Sequence, residues 1–279
     1  MKLCIRAHDL GVMGVPEILN QLDYYGIDGT QLVCYKAIPD ILQKPGSITP
    51  ALAIEIGQRF ANRSKSVDLV GAYFNPIHEN KEKVNDGMRI FSDYLRVCNS
   101  LGCDAVGSET GSCNNDSWTY NPNNRTERSL QKVVGVFSQL AEIAADAKSY
   151  VALEGCYAHI CYDIETLAKA RKMIGYPTRV VFDLYNYLDT DNQGDYLRIL
   201  DKGLDVFAGD IQVFHMKDCI LQNGRTPLQT PFGKGELDLR KILRRIKSYS
   251  QDSVLVLEET TGNDINFAVK TIRNIWESV

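Results

Sequence analysis

Eight short apolar runs alternate along the chain with eight longer segments of helical periodicity, and this alternation strongly limits the possible folds. The apolar runs occupy residues 3–7, 29–34, 67–73, 104–107, 150–153, 179–182, 212–214 and 253–257. The helical segments occupy residues 16–25, 50–64, 81–101, 126–148, 164–174, 196–204, 239–248 and 265–279. Most runs are continuously apolar, which is typical of strands in a parallel sheet with helices on its faces. The sequence therefore predicts eight βα units.

The number and size of these units favour a closed barrel over other α/β folds. Eight units of roughly 35 residues match the size of a (β/α)8 TIM barrel. A doubly wound sheet is the competing fold, but it usually has a glycine-rich turn after its first strand, and residues 6–11 (RAHDLG) do not form one. No linker rich in proline, glycine or serine interrupts the series. We therefore expect one domain spanning residues 1–279.

Charge and composition argue against several functional classes. Lysine and arginine number 31 against 35 acidic residues, and this net charge of −4 disfavours nucleic-acid partners, which require clustered positive charge. No apolar run reaches the roughly 18 residues that cross a bilayer, and the charged N-terminus is unlike a signal peptide. We expect no membrane association and a cytoplasmic location. The eight cysteines include no CxxC pair and are expected to be buried and reduced.

The last four predicted strands each end at a residue that can bind a metal ion. Their apolar runs are followed directly by Glu154, Asp183, His215 and Glu258. In a barrel, side chains at the carboxyl ends of the strands surround the mouth where active sites lie. Three carboxylates a few ångströms apart repel one another unless a cation neutralises them. The pattern predicts one divalent ion, and these oxygen and nitrogen ligands suit Mn²⁺, Mg²⁺, Co²⁺ or Zn²⁺.

The last strand offers two glutamates for the same position. Residues 254–257 are all apolar, so both faces of the predicted strand are apolar. The alternation of strand side chains therefore does not decide between Glu258 and Glu259. We favour Glu258, because Glu154 and Asp183 also follow their apolar runs directly.

Eight short motifs lie at or near the predicted strand ends, in order along nearly the whole chain. They are residues 5–11 (IRAHDLG), 71–78 (GAYFNPIH), 107–111 (GSETG), 152–154 (ALE), 182–186 (FDLYN), 215–218 (HMKD), 233–238 (GKGELD) and 257–258 (LE). Together they resemble the sugar phosphate isomerase/epimerase family of xylose isomerase-like TIM barrels, which includes the ketose 3-epimerases. Each string alone is unspecific, and the resemblance depends on their order and strand placement.

The resemblance implies a metal-dependent epimerase or aldose–ketose isomerase acting on a sugar or sugar phosphate. Glu154, Asp183, His215 and Glu258 would hold one divalent ion, and the two glutamates would act as the catalytic acid and base. The ion would stabilise the cis-enediolate formed when a carboxylate removes the proton beside the substrate carbonyl. No nucleotide cofactor is expected. Outer helices of such barrels commonly mediate dimers, so the fold is compatible with a homo-oligomer.

Other polar residues near the predicted strand ends are candidates for substrate binding. They are His8, Lys36, Asn75, Glu109, His159, Asn186 and Lys217. The last three follow the predicted metal-binding residues on their own strands by five, three and two positions. Helix caps, salt bridges and solvated loops are the plainer explanations for each of them taken alone.

Several alternatives remain open at this point. A dehydratase resembling inosose dehydratase would use the same ion and the same enediolate but would expel a hydroxyl group as water. A non-catalytic sugar-binding barrel is less consistent with two flanking carboxylates. Phosphodiester hydrolysis on a zinc cluster would require more histidines than the four in this chain. The loop 231–236 (PFGKGE) is either a phosphate site, helped by Lys217, Arg225 and Lys234, or a mobile lid.

Overall fold

Ten β-strands are present in the computed structural model, which describes residues 1–279. They are β1 (Lys2–Arg6), β2 (Gly29–Leu32), β3 (Ser66–Gly71), β4 (Ala105–Glu109), β5 (Tyr150–Glu154), β6 (Thr178–Asp183), β7 (Ile211–Met216), β8 (Asp218–Ile220), β9 (Leu228–Thr230) and β10 (Val254–Leu257). Strands β1–β7 and β10 form a closed parallel barrel, in which β1 pairs with both β2 and β10. The predicted TIM barrel is confirmed.

Each barrel strand is followed by at least one helix before the next barrel strand. The helices are α1 (Val15–Tyr25), α2 (Cys34–Ala37), α3 (Pro50–Asn62), α4 (Lys81–Val97), α5 (Glu127–Ala147), α6 (Ile164–Ile174), α7 (Tyr196–Val206), α8 (Leu239–Tyr249) and α9 (Asn263–Ser278). The short helix α2 and the β8–β9 hairpin, which pairs in antiparallel fashion, were not predicted. None of the helices combines the length and apolar character that a membrane span requires.

Side chains in the sequence determine where several of the helices begin. Thr49, Thr126, Asp163 and Asp238 each precede a helix and accept a hydrogen bond from a backbone N–H of its first turn. Such caps satisfy N–H groups that have no partner within the helix. These four helices therefore begin where a short polar residue precedes the apolar periodicity.

The barrel interior contains a layer of small and branched side chains. These inward-facing residues are Cys4, Leu69, Ala105, Ala152, Val181, Val213 and Val256. Because strand side chains alternate between the two faces, the residue two positions further along each strand also points inward. This second layer lies nearer the carboxyl ends and carries the polar side chains of the mouth.

The interior layer resolves the ambiguity at the last strand. Val256 belongs to the inner layer, whereas Leu257 packs in the larger core cluster outside it. The next inward position is therefore Glu258. The side chain of Glu259 instead lies at the rim, where it accepts a hydrogen bond from Gln229.

All eight cysteines are free thiols in the structure, and the predicted burial holds for most of them. Six are buried and the other two are half-buried. Burial raises the pKa of the Cys34 and Cys161 thiols to about 12, so both remain protonated at neutral pH. These cysteines act as small apolar side chains of the core.

Candidate metal centre

Four side chains from neighbouring strands converge at the carboxyl end of the barrel. One ligand atom each of Glu154, Asp183, His215 and Glu258 lies within 4.8 Å of the others. All four residues are buried, with at most 7% of any one exposed. Their strands are adjacent in the order β5, β6, β7 and β10, so the two glutamates stand at the two ends of the row. The structure therefore brings together the residues that the strand ends predict as ligands.

The imidazole of His215 presents Nδ1 to the carboxylates. This atom lies 2.6 Å from Glu258 Oε2 and 3.2 Å from Glu154 Oε1. On the other side of the ring, Nε2 lies 2.6 Å from Gln31 Oε1. The amide of Gln31 donates through its own nitrogen to the Tyr73 hydroxyl, so its oxygen accepts from His215 Nε2–H. In the neutral ring, Nδ1 then carries the lone pair that a metal ion requires.

Two cationic side chains neutralise part of the carboxylate charge. Lys217 Nζ lies 2.8 Å from Asp183 Oδ2 and 3.1 Å from Glu258 Oε1. Arg6 Nη1 lies 2.6 Å from the same Glu258 oxygen, and the guanidinium also donates two hydrogen bonds to Asp9. Glu258 is therefore held from two sides by fixed positive charges.

Burial and these cations shift the pKa values of the centre in different directions. Burial opposes ionisation of Glu258, but Lys217, His215 and Arg6 together hold its pKa well below the usual range. Burial raises the pKa of Asp183 to about 6, against the effect of Lys217. The pKa of His215 is raised to about 10, because Glu258 and Glu154 outweigh its burial. Without a metal ion, His215 is thus an imidazolium among carboxylates.

The geometry and chemistry of the centre fit a divalent ion. Asp183 Oδ2 and Glu258 Oε2 are buried and accept no well-formed hydrogen bond, although each lies close to a cationic side chain. Buried carboxylate oxygens normally have such partners. Three carboxylates and one imidazole are ligands that Zn²⁺, Mn²⁺ and similar ions accept. The four residues could therefore hold one such ion.

A cavity of about 500 Å³ opens above this centre. Five of the seven predicted substrate-binding residues line it, namely His8, Lys36, Glu109, Asn186 and Lys217. Asn186 Nδ2 donates a hydrogen bond of 2.7 Å to Glu154 Oε1, and Asn186 Oδ1 lies 3.3 Å from Lys217 Nζ. Asn186 therefore orients a candidate catalytic carboxylate as well as facing the cavity.

The imidazole of His159 lies behind the cavity wall that Glu109 and Trp118 form. His159 Nε2–H donates to the Trp118 carbonyl at 3.1 Å, which leaves the lone pair on Nδ1. That nitrogen is buried without a hydrogen-bond partner and lies 3.6 Å from Glu109 Oε1. Burial and the neighbouring Glu154 raise the pKa of Glu109 to about 8. The Glu109 carboxyl is thus largely protonated at neutral pH.

Asn75 does not line the cavity, contrary to its selection as a substrate-binding candidate. Its amide donates hydrogen bonds to the carbonyls of Ser112 and Asn115 and accepts one from Ile77 N–H. Both the nitrogen and the oxygen of the Asn75 side-chain amide are therefore hydrogen-bonded within the loops after β3 and β4. We assign Asn75 a structural role, which its position just beyond a strand end could not reveal.

The raised pKa of Glu109 predicts a pH-dependent stability effect. Between pH 4.5 and about 8 the native carboxyl retains a proton that the unfolded chain has released, so stability falls as pH rises through this window. Metal-free Glu109→Gln should therefore be more stable than metal-free wild type at pH 9, by at least about 1 kcal/mol. The two should be equal near pH 4. Urea unfolding at the two pH values measures the difference in stability between the variant and wild type, and the exposed Glu142→Gln is the control. A stability difference that does not grow between pH 4 and pH 9 would contradict the prediction.

The glycine-rich loop 231–236 folds around an internal carboxylate. Asp218 accepts hydrogen bonds from the backbone N–H groups of Cys219 and Gly235, both at 2.8 Å, and from that of Leu237 at 3.3 Å. Lys234 forms an ion pair with Asp264. Since the Gly235 N–H and the Lys234 ammonium group already have partners, these two groups are not free to bind the phosphate considered above.

Removing the Asp218 carboxylate should destabilise the protein through this loop. Asp218→Ala would leave buried N–H groups without acceptors, at a cost of about 1–3 kcal/mol for each unsatisfied group. We expect a lower midpoint of urea unfolding, with the metal affinity of the folded protein unchanged. Lys234→Ala, which removes an exposed ion pair in the same loop, should have a much smaller effect. Equal destabilisation by the two variants would contradict this role of Asp218.

Several cavity residues were not among the predicted site residues. Tyr73 lines the cavity, and Gln31 contacts His215 from behind. Arg6, whose position at the end of the first predicted strand is visible in the sequence, also lines the cavity and lies two positions after the inward-facing Cys4. Gln31 is a polar residue inside an apolar run, which is unusual for a strand buried on both faces.

The family model described as "Xylose isomerase-like TIM barrel" matches residues 19–275. The chain therefore belongs to the xylose isomerase-like TIM barrel family. A search of curated proteins finds no match.

Solved structures of the same fold include several that are described as sugar-related enzymes. A D-tagatose 3-epimerase-like protein has 15% identity and a TM-score of 0.75, with 100% of this chain and 98% of that chain covered. The 3-keto-D-glucoside 4-epimerase YcjR from E. coli has 14% identity and a TM-score of 0.72, with 100% of both chains covered. An IolI protein with a bound zinc atom has 16% identity and a TM-score of 0.69, with 100% of this chain and 96% of that chain covered. At such identities the likeness shows the fold alone.

Proposed function

We propose that this protein is a divalent-metal-dependent epimerase or isomerase of a small sugar or sugar derivative. The observation that carries the proposal is the convergence of Glu154, Asp183, His215 and Glu258 on one point below an open polar cavity. The bound ion would act as a Lewis acid on the carbonyl and adjacent hydroxyl oxygens of the substrate. Similarity to structures described as 3-epimerase-like, as a 4-epimerase and as zinc-bound is consistent with this activity.

The two glutamates perform the proton transfers in this proposal. Glu258 is held ionised by Lys217 and Arg6, so it can accept the proton on the carbon beside the carbonyl. Glu154 stands at the other end of the row, where Asn186 fixes one of its oxygens. For inversion Glu154 would enter the step protonated and deliver its own proton to the opposite face of the same carbon, while Glu258 keeps the proton that it removed; both carboxyl groups would then re-equilibrate with solvent. Return of a proton to the neighbouring carbon interconverts aldose and ketose.

Solvent isotope exchange and metal analysis test this function together. Protein purified without chelator should contain about one divalent ion per chain. In D₂O, the metal-loaded enzyme should introduce deuterium beside the carbonyl of a member of a ketose and keto-sugar panel, as seen by mass spectrometry. Chelated protein should not. Exchange at the same rate without metal would contradict the proposal.

Elimination of water is the second candidate reaction, and Glu109 is the observation that favours it. Its carboxyl lines the cavity near Glu154, burial raises its pKa in the metal-free centre, and it could donate a proton to a departing hydroxyl group. One glutamate of the centre would remove the proton beside the carbonyl, the C–O bond would break, and water would leave. The two reactions differ in product mass, because only elimination lowers it by one water.

A further inference from the structure

One cationic side chain in the cavity has no carboxylate partner. Of the three cations that line the cavity, Arg6 contacts Asp9 and Glu258, and Lys217 contacts Asp183 and Glu258. The side chain of Lys36 makes no salt bridge or hydrogen bond, and its ammonium group lies 5.4 Å from the centre of the Tyr73 ring. Lys36 is therefore the lining cation that remains free to bind a group from outside the protein.

The position of Lys36 leaves its ammonium group accessible from the cavity. The residue is exposed at the end of α2, where partial desolvation and the nearby Arg6 lower the pKa of the ammonium group. A partly desolvated ammonium group gains more from a nearby anion than one in bulk water. An anionic group entering the cavity would supply the missing counter-charge.

His8 adds a hydrogen-bonding group to the same wall, which the ends of β1 and β2 form. Its Nδ1 atom is buried and has no partner. Burial, Arg6 and Lys36 lower the pKa of His8 to about 3, so its ring is neutral and carries one N–H that can donate to an anion. The imidazole that follows β1 and the ammonium group that follows β2 thus line the same wall of the cavity.

We propose that Lys36 and His8 form a subsite for the carboxylate or phosphate group of an acidic sugar. The reacting carbonyl of the same molecule would lie at the four-residue centre. This inference rests on the proposed function and narrows its substrate class from sugars in general to anionic ones. It also locates the anion away from the loop 231–236, where the N–H of Gly235 already donates to Asp218.

Three sugars that differ only at one end of the carbon chain test the subsite. D-fructose, D-fructuronate and D-fructose 6-phosphate carry a hydroxymethyl, a carboxylate and a phosphate group at the same carbon. Their affinities for the cobalt-loaded protein are measured by calorimetric titration. At least one acidic sugar should bind wild type about tenfold tighter than fructose, as expected for a charge-assisted contact. The stronger of the two identifies the preferred anion.

Matched lysine variants assign the preference to a side chain. Lys36→Gln should bind the acidic sugars about tenfold more weakly and fructose within about twofold of wild type. Lys234→Gln, in the loop 231–236, should retain the preference. Circular dichroism verifies that both variants are folded, and metal analysis verifies that they are loaded.

Several results would overturn the subsite. They are equal affinity for the three sugars, failure of both acidic sugars to bind, retention of the preference in Lys36→Gln, or its loss in Lys234→Gln. If any of these occurs while the protein still holds metal and exchanges deuterium into a neutral sugar, the proposed function stands without the subsite. A protein that binds no metal contradicts the proposed function itself.

Discussion

Glu258→Gln should reduce solvent deuterium exchange into the substrate by about 10²–10⁴-fold, the contribution usual for a positioned acid or base. Glutamine keeps the size of the side chain and an oxygen near Lys217 and Arg6, but it cannot take up a proton. The effect should fall on the exchange rate, and substrate affinity should change far less. Mass spectrometry of the recovered sugar after incubation in D₂O measures the rate.

Glu154→Gln and Glu259→Gln are the matched comparisons for that experiment. Glu154→Gln should suppress epimerisation as strongly, because inversion requires a group on each face. Glu259 lines the rim of the cavity but is not one of the four converging residues, so its replacement should slow exchange far less than Glu258→Gln does. Each variant must first be shown to hold metal, because Glu154 and Glu258 are also candidate ligands. Normal exchange in both the Glu154 and Glu258 variants would refute the two-carboxylate mechanism.

His215→Ala should cause the largest loss of metal affinity that leaves the fold intact. Loss of an outer-shell partner of a metal ligand typically costs 10–100-fold in affinity, and loss of the ligand itself should exceed this. At a metal concentration about 100 times the dissociation constant, the ion adds about 2.7 kcal/mol to the stability of wild type. The variant should lose this metal-dependent increment. Urea unfolding with and without metal measures it.

His78→Ala is the control for this experiment, because His78 is also buried but pairs with Asp116 outside the cavity. Its metal affinity should equal that of wild type. If His215→Ala bound the ion as tightly as His78→Ala, His215 would not be a ligand. Another residue would then have to supply the fourth ligand of the proposed metal centre.

The regularities of a parallel barrel explain how much could be predicted from the sequence. Continuous apolar runs identified the strands, and the first polar residue after the last four runs identified the converging side chains. Both are local patterns, since a strand fixes the direction of its own side chains. The choice between Glu258 and Glu259 instead depended on which face of β10 packs inside the barrel.

The remaining features depend on contacts between distant segments. Asn75 follows a strand end as the true cavity residues do, yet its amide is used by a loop about forty residues away. The glycines of the loop 231–236 resemble an anion site until Asp218 is seen among their N–H groups. Gln31 and His215 are 184 positions apart, so no local pattern could pair them. In each case the sequence shows the polar group but does not identify its partner.

The ammonium group of Lys217 and the imidazolium group of His215 would allow the barrel to fold without a metal ion. Lys217 and protonated His215 already offset the carboxylate charge, so the chain can fold before any metal is present. If the centre holds an ion as proposed, loading would be a cation exchange, in which His215 gives up the proton on Nδ1 and Lys217 loosens its contact with Asp183. The fraction of chains that hold metal in the cell would accordingly depend on metal concentration and pH. Newly made chains could remain folded without metal until an ion binds.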